Sequence, residues 1–127
     1  MEDAEPQTLK LVTDGSYCYE PGFALLSYVE SEMTGLEGVV TSFRIEDGQT
    51  VTLRRSGKVN AEMVFDRRQA HDSLYDVGFG AMMISVVTED MTVLLNEHGG
   101  VLDLDYRVEV EHTLCSRNRY HIEIQTI

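Results

Sequence analysis

Strict period-two alternation of apolar and polar residues restricts this chain more than any other feature. In Val101–Glu111, the residues Leu102, Leu104, Tyr106, Val108 and Val110 fall on one face, while Asp103, Asp105, Arg107, Glu109 and Glu111 fall on the other. A helix would scatter both sets around its axis, whereas a half-buried strand sorts them into core and solvent. Tyr120, Ile122, Ile124 and Thr126 alternate with His121, Glu123 and Gln125 in the same way. Both segments read as strands.

Turn residues punctuate the rest of the chain at short intervals. Pro21-Gly22 separates Leu9–Tyr19 from Phe23–Glu30, and Asp47-Gly48 separates Val39–Glu46 from Gln49–Arg55. Ser56-Gly57 leads into Lys58–Phe65, Glu89-Asp90 divides Gly80–Thr88 from Met91–Asn96, and His98-Gly99-Gly100 leads into Val101. Asp-Gly is a strong two-residue hairpin signal, because glycine accepts positive φ without steric cost. About nine strands in a meander follow from this spacing. Two stretches escape the pattern. Residues 31–37 read as a polar loop with one irregular turn. Residues 66–78 fit a short helix, a crossing loop or an irregular strand equally well.

Short strands with one apolar face each must bury those faces together, and closing the meander also removes exposed edges. The expected architecture is therefore all-β: a single antiparallel up-and-down β-barrel of about 8–10 strands, with a two-sheet sandwich as the alternative. Glycines at 15, 38, 57, 78 and 80 suit the bends of a small barrel. A length of 127 residues fits one domain, taken as 8–127 behind a frayed tail at 1–7.

Charge narrows the function classes. Twenty-two acidic side chains against ten basic ones give a net charge of −12, which opposes electrostatic binding of nucleic acid. No apolar run approaches the ~18 to 20 residues that span a bilayer, so no membrane partner is expected. The opening MEDAEPQT is unlike a secretory signal or an Arg-rich transit peptide. Cys18 and Cys115 stand far apart without a CxxC, so reduced thiols in a cytoplasmic setting are expected.

No enzyme chemistry is marked. His71, Asp72 and Ser73 are the residue types of a hydrolase triad, but three successive residues rarely place the base between nucleophile and orienter, and no GxSxG elbow accompanies them. Gly78-Phe79-Gly80 lacks the rest of a dinucleotide fingerprint, and the glycines of His98-Gly99-Gly100 are explained by a hairpin turn. The four histidines have no metal-ligand spacing. No catalytic residue, metal or cofactor is expected.

The basic residues carry more information. Arg54, Arg55, Lys58, Arg67 and Arg68 cluster with only Glu62 and Asp66, a local net charge of +3 that leaves −15 on the rest of the chain. Such a patch either pairs with neighbouring carboxylates or collects a small anion. Parity singles out Arg55, which shares a face with Val51 and Leu53, as Glu30 does with Leu26 and Tyr28. An inward arginine and an inward glutamate would then meet near one barrel mouth above a tyrosine. Two roles fit: a structural Arg55–Glu30 bridge, or a ligand-binding pair at the mouth.

The run Leu26-Ser27-Tyr28-Val29-Glu30, then Thr41, then Leu53-Arg54-Arg55-Ser56-Gly57-Lys58-Val59 and Phe65 resembles the YwiB-like bacterial proteins. Tyr75 with Gly78, and Leu102-Asp103-Leu104-Asp105-Tyr106, extend the similarity from about Leu9 to Ile124. The resemblance implies a lipocalin-like (calycin) β-barrel of unknown function and favours barrel over sandwich. It supplies no reaction and no catalytic residues.

The expectation is a non-enzymatic barrel that binds a small, anionic ligand at a mouth lined by Tyr28, Glu30, Arg55, Tyr75 and Tyr106. The alternative is an interaction module or homodimer acting through the outer strands, which calls for an outward apolar patch at Val12, Leu94 or Met83. A hydrolase using interior polar groups is a minor third reading.

Overall fold

The computed structural model describes residues 10–76 and 80–127. The expected tail at 1–7 and the bend assigned to Gly78 lie outside the described residues. Nine strands pair in sequence order into one antiparallel sheet: β1 (Ser16–Glu20), β2 (Phe23–Val29), β3 (Val40–Glu46), β4 (Thr50–Ser56), β5 (Asn60–Asp66), β6 (His71–Asp76), β7 (Ala81–Asn96), β8 (Gly99–Val110) and β9 (Thr113–Gln125). One sheet in up-and-down order excludes the two-sheet sandwich. The polar loop after β2 holds a single 3-10 turn, Glu32–Thr34, in which the Ser31 hydroxyl accepts from the Met33 N–H.

The sheet curls into a half-barrel with the apolar face inside. Side chains far apart in strand order meet across the interior: the ring centroids of Phe43 on β3 and Tyr120 on β9 are 5.6 Å apart. At another point the Tyr17 hydroxyl on β1 donates to the Asn96 carbonyl at the end of β7, at 2.7 Å. Phe43, Leu53, Phe65, Val86, Leu102 and Leu104 are fully buried in the core. The alternation in β8 is realised as read, since Leu102, Leu104 and Tyr106 are buried whereas Asp105 is exposed.

The strand count matches the reading of the sequence, but two of its members differ. Glu89-Asp90 is not a hairpin turn: β7 runs through it, and only a register shift between Thr88 and Asp90 marks the place. A two-residue primed turn needs positive φ, and among the described non-glycine residues only Asp47, Glu111 and His112 have it. The extra residue is accommodated as a bulge. The missing strand is β6, which lies within the ambiguous 66–78 stretch as His71–Asp76 and pairs along its whole length with β7. The true hairpin between β8 and β9 turns at Glu111-His112, and β9 begins well before Tyr120. Conversely, β1 starts only at Ser16, with Leu11 to Asp14 outside any strand.

Asp47-Gly48 forms the expected tight hairpin, with φ of 54° and 63°. Gly99 and Gly100 serve a different purpose from the turn assigned to them. They are the first residues of β8, and a Cβ on Gly100 would stand 1.9 Å from the Leu94 carbonyl oxygen, with one on Gly99 at 2.1 Å from that of Ile124. Only glycine lets β7 and β9 approach the start of β8 this closely.

Candidate functional site

Strand register builds one polar row across the inside of the half-barrel. Tyr28 on β2 faces Thr41 on β3, Thr41 faces Arg55 on β4, Arg55 faces Ala61 on β5, Ala61 faces Tyr75 on β6, and Tyr75 faces Met82 on β7. The next row inward, Leu26–Phe43–Leu53–Met63, is buried and wholly apolar. The polar row therefore rests on a hydrophobic floor at the end of the barrel where β2, β4 and β6 finish. Tyr106 and Tyr120 reach the same place from β8 and β9, stacked at a centroid distance of 6.1 Å. Tyr106 also packs edge-on against Phe65 at 4.7 Å.

The five residues expected at the mouth converge here, joined by Thr41 and Tyr120. Arg55 Nη2 donates to the Tyr120 hydroxyl at 2.6 Å, and its Nε is buried without a hydrogen-bond partner among the described residues. The expected direct Arg55–Glu30 bridge is not formed. Glu30 is itself buried, but its carboxylate accepts a 2.5 Å hydrogen bond from the Thr41 hydroxyl. Its backbone N–H donates to the Val39 carbonyl at 2.8 Å, pinning the chain beside the row. The two charges feel each other without touching. Burial disfavours the Arg55 cation, and Tyr120, Tyr75 and Glu30 around it more than offset that effect. Burial, reinforced by the Glu30 charge, holds the Tyr28 phenol well above its ordinary value, and burial does the same to Tyr106. Tyr28 and Tyr106 are therefore neutral hydrogen-bonding groups at physiological pH.

Sequence reasoning missed Tyr120 and gave Thr41 no role. Parity placed Tyr120 inward with Ile122 and Ile124, which was a usable signal. Its meeting with Arg55, 65 residues away in the chain, left no local trace.

Other candidates resolve differently. Arg54 pairs with Glu62 at 2.6 Å, and Arg68 grips the buried Asp66 through both Nε and Nη2, so these members of the basic cluster are decoration on hairpins. His71 and Ser73 point inward on β6 while Asp72 between them is exposed, so the three cannot form a triad. His71 instead contacts Asp66 at 3.5 Å. Among the described residues, no three His, Cys, Asp or Glu side chains gather in a metal-binding arrangement. A cleft of about 410 Å³ lies at the opposite end of the barrel, floored by Ala24, Ile45, Val93 and Leu95 with Asp47 and Gly48 at its rim. It shares no residue with the Arg55 row. Val12, Leu94 and Met83 are all exposed, and Met83 sits beside exposed Leu74 on the outer face. No helix among the described residues is long and apolar enough to cross a membrane.

Comparison with known proteins places these features in a family. The family model described as Domain of unknown function (DUF1934) matches residues 1–122. Among solved structures, the chain is similar to the ywiB protein from Bacillus subtilis, with a TM-score of 0.74 and 25% sequence identity over 91% of this chain and 77% of that one. No curated protein matches the chain.

Proposed function

The chain belongs to the family described as Domain of unknown function (DUF1934), and we propose that it is a non-enzymatic, calycin-like barrel that binds a small anion at the Arg55 end. The observation that carries this reading is the state of Arg55 among the described residues: a largely buried cation with no carboxylate in ion-pair contact and an Nε donor without a partner. A buried donor without a partner costs free energy, and a buried charge costs more. An anion supplying one acceptor to Nε would satisfy that donor. Tyr75 and Tyr106 lie within electrostatic reach of the arginine above the apolar floor, and the Tyr28 phenol is hydrogen-bonded to Glu30 beside it. Small barrels commonly use their mouths in this way. The free, exposed thiols of Cys18 and Cys115 support a reducing, cytoplasmic setting.

The test is a melting-temperature screen of wild type and Arg55→Met against phosphate and a panel of small carboxylates. Glu30 keeps its Thr41 hydrogen bond in the variant, so Arg55→Met should cost little stability. Wild type should gain about 2.7 kcal/mol when a true ligand reaches a hundred times its dissociation constant, and the variant should gain nothing. Anion shifts that are equal in wild type and variant, or absent from both, refute the site.

A further inference from the structure

The two ends of the sheet are unequal. β1 is five residues long, whereas β9 runs for 13 residues and pairs, among the described residues, only with β8. A long strand with one unpaired row of N–H and C=O groups is a template for another strand. Its inward side chains point the same way. Tyr120, Ile122 and Ile124 pack on the core yet remain partly exposed, whereas Leu102 and Leu104, one strand in, are fully buried. The exposure arises where no further strand covers the wall.

Charge identifies what covers it. On a chain of net charge −12, self-association is opposed wherever acidic surfaces meet, but β9 carries Arg117 and Arg119 against the single Glu123. Its outward face is also self-complementary when paired antiparallel with itself. In the register centred on His121, Arg119 faces Glu123 of the second copy, and Glu123 faces Arg119 of the second copy. In the same register Tyr120 and Ile122 face one another twice on the inward side. We propose that a second copy of this chain pairs with β9 in that register, joining two half-barrels through one continuous sheet. The pairing is isologous, so it closes at a dimer and leaves only the two short β1 edges. Within one copy, Arg119 makes only a 3.6 Å contact with Asp103, and Glu123 a 3.3 Å contact with His121, with both side chains mostly exposed. Neither contact blocks the cross-copy pairs.

Charge reversal tests this directly. Sedimentation velocity of the full chain over a wide concentration range should show reversible dimerisation. Arg119→Glu and Glu123→Arg each set two like-charge pairs across the dyad, and each should weaken the dimer by about tenfold or more. The double variant restores both attractive pairs and should recover dimerisation, with circular dichroism and melting curves confirming that every variant is folded. In hydrogen exchange, β9 amides should slow as wild-type concentration rises. Wild type that stays monomeric at all concentrations overturns the proposal. So does a dimer indifferent to the single reversals, or a double variant that does not recover.

Discussion

Tyr120→Phe isolates the one side-chain hydrogen bond that Arg55 makes among the described residues. The ring contacts of Tyr120 with Phe43 at 5.6 Å and Tyr106 at 6.1 Å need no hydroxyl, so the substitution deletes only the acceptor of the 2.6 Å bond from Arg55 Nη2. Arg55 Nε already lacks a partner, so the variant leaves a second donor of the same cation unsatisfied. A hydrogen bond to a charged group contributes about 1.5–3 kcal/mol, and the partial exposure of Arg55 puts the expected loss near the lower figure, about 1.5 kcal/mol. With a urea dependence of about 1–3 kcal/mol per molar, the midpoint should fall by roughly 0.5–1.5 M with the slope unchanged. The decisive measurement is the double-mutant cycle. With Arg55→Met already in place there is no cation to orphan, and adding Tyr120→Phe should cost less than about 0.5 kcal/mol. An equal loss in both backgrounds would refute the idea that the phenol acts through the guanidinium, and with it the account of Arg55 as an under-partnered charge.

Three further outcomes follow from the same geometry. Leu104→Asp should abolish the cooperative urea transition by burying an unpaired carboxylate in the fully enclosed core, whereas Asp105→Asn on the exposed face should stay within about 0.5 kcal/mol of wild type. Gly100→Ala should unfold the protein or lower its urea midpoint severely, because the added Cβ would meet the Leu94 carbonyl oxygen at a backbone φ of +137°. The His121 imidazole, bonded at 2.6 Å to Asp103 and at 3.3 Å to Glu123, titrates above its ordinary value of 6.5. A raised folded-state value means that this contribution is complete below the ordinary histidine range and is lost as pH rises through the folded-state value. NMR titration should show the raised midpoint, and Asp103→Asn should return it towards 6.5.

Alternation along β8 and the Asp47-Gly48 turn were legible in the residues, because a strand's two faces and a turn's positive φ are local properties. The same local rule put Tyr28, Glu30 and Arg55 on inward faces, and the structure keeps all three inside. Parity says which way a side chain points but not what it meets. The pairing of Glu30 with Thr41, and of Arg55 with Tyr120, depends on the register of β2 on β3 and on the curl that carries β9 over β4. The bulge at Glu89 was hidden for the same reason. Its two acidic residues resemble a turn, and only the continuous ladder with β8 forces the chain to run straight through them. Sequence by itself therefore determined an acidic β-meander with an arginine facing inward, and the structure decided that the meander forms one sheet. Tertiary structure alone decided that this arginine rests against a phenol instead of a carboxylate, because which strands become neighbours across a curled sheet is fixed by the packing of the whole core.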